Sequence, residues 1–202
     1  MTEDLSKQRQ QVILIIGCGY IIPVLLVYWG FIPFSWRFYV MIIIAIVMLA
    51  LARIYRYSPI ELGLTKQNLE NSFKSIALPT LAAVVLMLIY HALQGSRLDN
   101  SAYNWTFYLF FVIGSAPVQE FLYRGFLFGI FTRVKLAIWW QILISTSLYS
   151  FVHIIYQDLP TLLFAFMVGL VWGCYYAKYR NLYSIIVSHG LLGLVAILVG
   201  LV

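Results

Sequence analysis

Charge is what this sequence has least of. Its 202 residues hold seven acidic and 13 basic side chains, 10% in all, against 63% hydrophobic. Soluble domains carry about 25% charged residues, so this chain lacks the polar surface needed to coat a soluble fold of its size. The same apolar content excludes intrinsic disorder. Cysteine is scarce as well. Cys18 and Cys174 lie in separate apolar runs without CxxC spacing, which indicates neither a disulfide framework nor a zinc site. Internal repeats, low-complexity tracts and an interdomain linker are missing. So are several membrane-hydrolase signatures: there is no HExxH, Asp99 and Asp158 both fall between apolar runs, and Gly114-Ser115 does not complete a GxSG.

What remains is apolar length. Mean hydropathy is +0.91, and the natural solvent for such a chain is a bilayer. Long unbroken apolar runs, without dyad alternation, favour helices over a barrel. Seven segments stand out, near 11–29, 38–52, 75–94, 105–131, 137–156, 160–177 and 182–202. The expected fold is all-α: a polytopic transmembrane bundle of about seven to eight spans, one domain over 1–202, embedded in the cell membrane among lipids. The N-terminal stretch carries Glu3 and Asp4 beside Lys7 and Arg9, and the run behind it has no small-x-small cleavage site. It reads as a retained first span. The fourth segment exceeds one ordinary span and contains Pro117, so a kink or a division into two helices is expected there.

The basic residues sit singly or in pairs between the apolar runs, a pattern of topology determinants and not of nucleic-acid binding. An N-terminus in the cytoplasm collects Lys7, Arg9, Arg53, Arg56, Lys66, Lys74, Arg133, Lys135, Lys178 and Arg180 on the inner side, leaving only Arg37 and Arg97 outside. Within the loop 53–74, Ser58-Pro59-Ile60-Glu61 has the form of a capping box. Thr65 to Lys74 reads either as a short amphipathic helix on the inner membrane surface or as a solvated connector.

Ionisable groups inside hydrocarbon are costly and mark functional sites by default. The candidates are Glu120, Arg124, His153 and His189, with the amide Gln119 beside them. His91, at the end of the third segment, reads as an interfacial histidine. Glu120 and Arg124 are four apart and share a helix face, either as a structural ion pair or as a carboxylate oriented for acid–base work. Gln119 is turned about 100° away and faces with Tyr123. At 1.5 Å per residue, Glu120 lies roughly 18 Å and His189 roughly 12 Å from the inner side. The chain from Arg133 to Trp140 is expected to lie along the interface with Trp139 and Trp140 as anchors, which brings His153 into their layer at roughly 17–20 Å. Gly125–Gly129 and Gly169–Gly173 have the GxxxG spacing of close helix packing.

These residues resemble a known family. Gln119-Glu120-Phe121-Leu122-Tyr123-Arg124-Gly125 resembles the EExxxR motif of the CPBP or Abi membrane proteases, which include CAAX prenyl endopeptidases and bacteriocin-processing proteins. Tyr149-Ser150-Phe151-Val152-His153 resembles their FxxxH motif, and His189-Gly190-Leu191-Leu192-Gly193 their HxxxN motif. The likeness spans about 104–195. It implies a helical bundle with a membrane cavity opening to the cytosol, in which a glutamate-activated water attacks a peptide carbonyl. The implied substrate is a peptide or protein, lipidated or not, cut near a prenylated or hydrophobic C-terminus. Glu120, His153 and His189 are then the catalytic candidates, with Gln119, Arg124 and Tyr149 in support. No cofactor is required, and a divalent metal at His153, His189 and Glu120 stays open. Three positions depart from the pattern. Gln119 replaces the first Glu, Tyr149 replaces Phe, and Gly193 replaces Asn. An amide is no general base, so either Glu120 or a histidine supplies that role, or the chain is a catalytically silent member acting in binding, immunity or scaffolding.

Overall fold

Seven helical runs occupy the seven apolar segments. The computed structural model describes residues 2–202, with side chains from residue 5 onward. The side chains of Glu3 and Asp4 lie outside that set. The runs are α1 (2–28), α2 (Arg37–Ile54), α3 (Leu69–Gln94), α4 (105–133), α5 (Ile138–Tyr156), α6 (Leu159–Tyr179) and α7 (Leu182–Leu198). All but α4 and α7 are long and apolar enough to cross a membrane on those grounds alone, and α7 is a shorter apolar helix. The chain is an all-α polytopic membrane bundle.

Proline shapes two of the helices without breaking them. In α1 a π turn, Gly17–Ile21, precedes the segment that carries Pro23 in its first turn. In α4 another, Phe111–Ser115, precedes the segment that carries Pro117 in the same place. A proline cannot donate to the carbonyl four residues back and its ring crowds that carbonyl. An i→i+5 turn widens the ladder where the donor is missing. The fourth segment is therefore one continuous helix. A further π turn, Phe121–Phe126, follows in α4. Two carbonyls in it take side-chain hydroxyls from neighbouring helices: Leu122 O from Tyr20 at 2.9 Å and Tyr123 O from Ser145 at 2.6 Å.

Helix α4 lies at the centre. Every residue from Leu122 to Phe131 is buried, as expected of a helix that is apolar on all sides. Helices α2 and α3 face outward, with Ile43, Ile46, Leu78 and Leu86 exposed to the surroundings. Helix α5 packs along α6, and α7 along α3. Between α3 and α7 runs a line of hydroxyls, Ser72 to Ser184 at 2.5 Å and Thr80 to Ser188 at 2.7 Å, of the kind that joins helices where water is absent.

The two ends of the bundle differ in charge. At one end the Arg133 guanidinium donates to Glu61 at 2.8 Å and to the carbonyls of Tyr55 and Arg56, and Arg180 donates to Thr132. Asn181 caps α7 there and also donates to Thr65 O and Gln67 O. Helices α2, α4 and α6 terminate at this end, with Arg56, Lys135 and Arg180 in the left-handed conformation just beyond them. Their positive charge meets the negative ends of the helix dipoles. Gly63 lies in the adjoining loop with φ +73°, and a Cβ there would fall 2.5 Å from the Tyr176 hydroxyl. The capping box forms, with Ser58 N donating to Glu61 and Glu61 N to Ser58 Oγ, but no surface helix follows it. Thr65–Asn68 is a turn, and from Leu69 the chain already belongs to α3. The amphipathic pattern of 65–74 reflects the partly exposed first turns of that long helix.

At the opposite end Arg97 donates to both oxygens of Asp158 at 2.7 Å, to Thr161 Oγ1 and to Leu201 O. Asn100 ties the same loop to Ile197 O and Val202 O. Asp158 also caps α6 by accepting from Thr161 N. Exposed aromatic side chains ring both ends: Trp29, Trp36 and Trp105 at this one, Trp139 and Trp140 at the other. That is the position of interfacial anchors.

The Arg97–Asp158 clamp gives a testable pH dependence. Hydrogen bonds from Arg97, aided by those from Thr161, hold the Asp158 carboxyl well below the usual carboxylate range. The clamp therefore contributes in full above the unfolded-state value of about 4. It is lost as pH falls from there through the depressed folded value. Asp158→Asn should lower stability at pH 7 by about 1–3 kcal/mol, measured by thermal denaturation in detergent. The difference between variant and parent should narrow as the pH is lowered below about 4. An unchanged gap across that range would show that the clamp is not the source.

Candidate active site

The site is built around one buried carboxylate. Glu120 is fully buried on α4. Its Oε1 accepts from Arg124 Nη1 at 2.9 Å, one turn along the same helix, and from His189 Nδ1 on α7 at 2.6 Å. Its Oε2 is buried with no partner. Arg124 is also fully buried. Beyond Glu120 it donates to Gly169 O on α6 at 3.2 Å, and its guanidinium lies 4.4 Å above the Tyr149 ring and 5.3 Å from that of Trp172. A Cβ at residue 169 would sit 2.9 Å from Tyr149 Cδ1 and 3.3 Å from Arg124 Nη2. Gly169 thus makes room for the cation and for α6 to approach α5. Charge neutralisation, hydrogen bonding and aromatic faces together offset the cost of burying this ion pair.

His189 is held on every side. Its ring stacks on Trp172 at 4.5 Å between centroids and meets Phe111 and Tyr149 edge-on. A carboxylate accepts hydrogen bonds and does not donate them, so His189 carries its proton on Nδ1. The free lone pair falls on Nε2, which lies 3.4 Å from the Tyr149 hydroxyl. His153 follows the same logic by another route. It lies at the start of the tight 3-10 turn, Val152–Tyr156, that ends α5. Its Nδ1 sits 2.8 Å from Tyr149 O, and a carbonyl only accepts, so His153 too presents an Nε2 lone pair. The Tyr149 ring lies 5.0 Å from the His153 ring and 5.7 Å from the His189 ring.

A cavity of about 410 Å³ joins these groups. Gln119, Tyr123, Tyr149, His153, His189 and Gly193 line it. Glu120 and Arg124 do not; they stand behind His189. The helical offset between Gln119 and Glu120 explains the difference: Gln119 faces the cavity with Tyr123, and Glu120 faces away with Arg124. Gln119 donates to Ser115 Oγ at 2.8 Å, one turn back. From this layer the cavity extends to Phe34, Arg37, Leu98, Asn100, Tyr103 and Asp158, at the end of the bundle poor in basic residues. Apart from these polar groups the walls are mostly apolar, with Met41, Phe107, Phe164 and Val168 among them.

Among the described residues, no three His, Cys, Asp or Glu side chains gather where a metal ion could be held. His189 and Glu120 spend their facing atoms on each other.

Two contributors were not legible in the motifs. Trp172 fixes the His189 ring, and Phe111 fills the space beside Gly193. A Cβ on residue 193 would meet the Phe111 ring at 2.3 and 2.6 Å. The position that resembles the family's Asn is therefore closed to any side chain while Phe111 stays where it is. The spacing of α4 to α7 hides this pairing, since 111 and 193 are 82 positions apart.

Gly193→Asn should destabilise the protein by about 1–3 kcal/mol through overpacking, and Phe111→Ala in the same chain should restore much of it. Equal melting temperatures for parent and single variant would contradict the packing described. Glu120→Ala should cost about 3–5 kcal/mol, because it leaves Arg124 buried without its carboxylate.

Comparison with known proteins covers this same region. Residues 100–195 match the family model described as type II CAAX prenyl endopeptidase Rce1-like. No curated protein and no solved structure matches the chain. The matched span runs from the loop before α4 into α7 and contains Gln119, Glu120, Arg124, Tyr149, His153, Trp172, His189 and Gly193. The stretch over which the motifs resemble the CPBP membrane proteases, about 104–195, lies within this match. Over residues 100–195 the chain is similar to the type II CAAX prenyl endopeptidase Rce1-like family, a family of proteases.

Proposed function

We propose that the protein is an intramembrane endopeptidase whose general base is His189, activated by Glu120, and that its substrate is a hydrophobic peptide or protein segment drawn into the cavity. The observation that carries this reading is the 2.6 Å contact between Glu120 Oε1 and His189 Nδ1, with His189 and His153 lining one cavity beside Gln119. A carboxylate on the far nitrogen fixes the tautomer of an imidazole and stabilises the imidazolium that forms when it takes a proton. Here that carboxylate acts from behind the histidine, so an amide at 119 does not deprive the site of a base.

His189 Nε2 takes one proton from a water in the cavity, and His153 Nε2 orients that water by accepting its other hydrogen. The water oxygen attacks the peptide carbonyl carbon. Negative charge on the carbonyl oxygen is met by donors of the lining, the Gln119 amide and the Tyr149 hydroxyl. The tetrahedral species collapses as His189 returns its proton to the leaving nitrogen, giving a carboxylic acid and an amine, and transfer of the acid's proton to the amine leaves one carboxylate end and one ammonium end. Arg124 keeps Glu120 ionised and in place and does not touch substrate. Trp172 and Phe111 hold the ring of His189.

Cleavage of a hydrophobic reporter peptide by purified protein in lipid tests the reading. His189→Ala and His153→Ala should each reduce kcat by about 100-fold or more, with melting temperatures that show both variants folded. Glu120→Gln, which keeps the shape and removes the charge, should lower kcat more than it changes KM. Turnover that survives loss of both histidines would overturn the mechanism. Turnover absent from the parent and present only in Gln119→Glu would assign the natural chain a binding role.

A further inference from the structure

The position of the cavity mouth, set against the charge asymmetry of the two ends, decides which side of the membrane supplies the substrate. From the histidine layer the cavity extends to Phe34 and Arg37 at the start of α2, the loop 98–103 and Asp158 before α6. Phe34 is 42% exposed. None of the loops at the other end, 55–68, 134–137 and 179–181, contributes a lining residue. Those loops and the helix ends beside them carry Arg53, Arg56, Lys66, Lys74, Arg133, Lys135, Lys178 and Arg180. The mouth end carries two cations. One of them, Arg97, is clamped to Asp158. The other, Arg37, lies against the faces of Phe34 and Phe38.

Basic residues near span ends are retained on the cytoplasmic side. Those eight, with Lys7 and Arg9 near the start of α1, make ten against two and place the crowded end in the cytoplasm and the mouth on the opposite face. This runs against the cytosol-facing cavity that the family resemblance implies. The antiparallel run of the helices fixes the choice, because α4 starts at the mouth and ends at Arg133. The cavity and the basic loops cannot both face the cytoplasm.

We propose that the cavity takes its substrate from the extracytoplasmic side, as a hydrophobic peptide segment exposed at the outer leaflet. The peptide identity rests on the endopeptidase reading; the side of access does not. The apolar walls suit aliphatic and aromatic side chains, and the mouth offers Arg37, Asp99 and Asn100 to the polar backbone of a segment crossing the headgroup region. A protein chain presented in the cytosol, prenylated or not, would meet the sealed end. There Arg133, Glu61, Arg180 and Asn181 tie the loops together.

Cysteine labelling in intact cells tests this without any need for activity. Cys18 and Cys174 are free and exposed, so both are first replaced by serine in the full-length chain. Single cysteines are then placed by Ser101→Cys and Phe34→Cys at the mouth end and Gln67→Cys at the basic end. A membrane-impermeant maleimide should label the first two in intact cells and the third only after permeabilisation. The reverse pattern would overturn the proposal. Labelling at Ser101→Cys with none at Phe34→Cys would also overturn it, by showing a mouth closed to the outer solution. A second arm supplies a quenched-fluorescent apolar peptide to right-side-out or inside-out vesicles, and only the former should cleave it. Cleavage from neither side, with the labelling as expected, would refute the endopeptidase reading and leave the access proposal standing.

Discussion

The structure depends on accommodating one carboxyl group, that of Glu120, inside an apolar bundle. An isolated charge there costs several kcal/mol even after relaxation, so Glu120 commits its surroundings. The guanidinium four residues along α4 answers its charge, and His189 on α7 brings a second donor to the same oxygen. Arg124 in turn needs an acceptor and a shape that admits it. Gly169 supplies both, through its carbonyl and through its missing side chain. The aromatic faces of Tyr149 and Trp172 close the remaining directions. Helices α4, α5, α6 and α7 are therefore held to one another through a chain of partners that starts at a single oxygen atom.

Backbone irregularities serve the same centre. The π turn ending at Ser115 absorbs Pro117 and leaves α4 continuous, so that Gln119 and Glu120 stay on a helix with defined faces. The π turn that follows contains Arg124, and the hydroxyls of Tyr20 and Ser145 tie its carbonyls to α1 and α5. Such turns are frequent at functional sites because they re-aim side chains at small cost. At the end of α5, the tight turn over 152–156 brings His153 to the cavity with its Nδ1 already committed to the backbone. Both histidines are thus fixed in the tautomer that leaves Nε2 free.

Much of this was readable in the sequence, because a bilayer simplifies the pattern. The seven apolar segments became seven helices, since a chain in hydrocarbon must satisfy its backbone internally. The shared face of Glu120 and Arg124, and the different face shared by Gln119 and Tyr123, follow from helix geometry alone. The ends of the bundle could be sorted from the basic residues. Depth could place Glu120 and His189 near one layer, but it carries no information about rotation. It could not show that Glu120 stands behind His189 and outside the cavity. The kink or division expected at Pro117 resolved into a π turn, which leaves no sequence mark beyond the proline. The amphipathic stretch 65–74 proved to be a turn and the start of α3, because a short periodic run has the same pattern in either setting. The exchange of volume between Gly193 and Phe111 joins residues 82 positions apart, and one sequence does not reveal such a pairing.

The central claim is that Glu120 fixes the protonation of His189 so that its Nε2 is the basic atom. Solid-state NMR of the histidine-labelled protein in lipid bilayers reads the two ring nitrogens directly. The account predicts that the His189 signals, assigned by their loss in His189→Ala, show a protonated, strongly hydrogen-bonded Nδ1 and an unprotonated Nε2 at neutral pH. It also predicts that Glu120→Gln weakens the Nδ1 hydrogen bond. A His189 that carries its proton on Nε2 alone, or whose Nδ1 signal is indifferent to Glu120→Gln, would contradict the account.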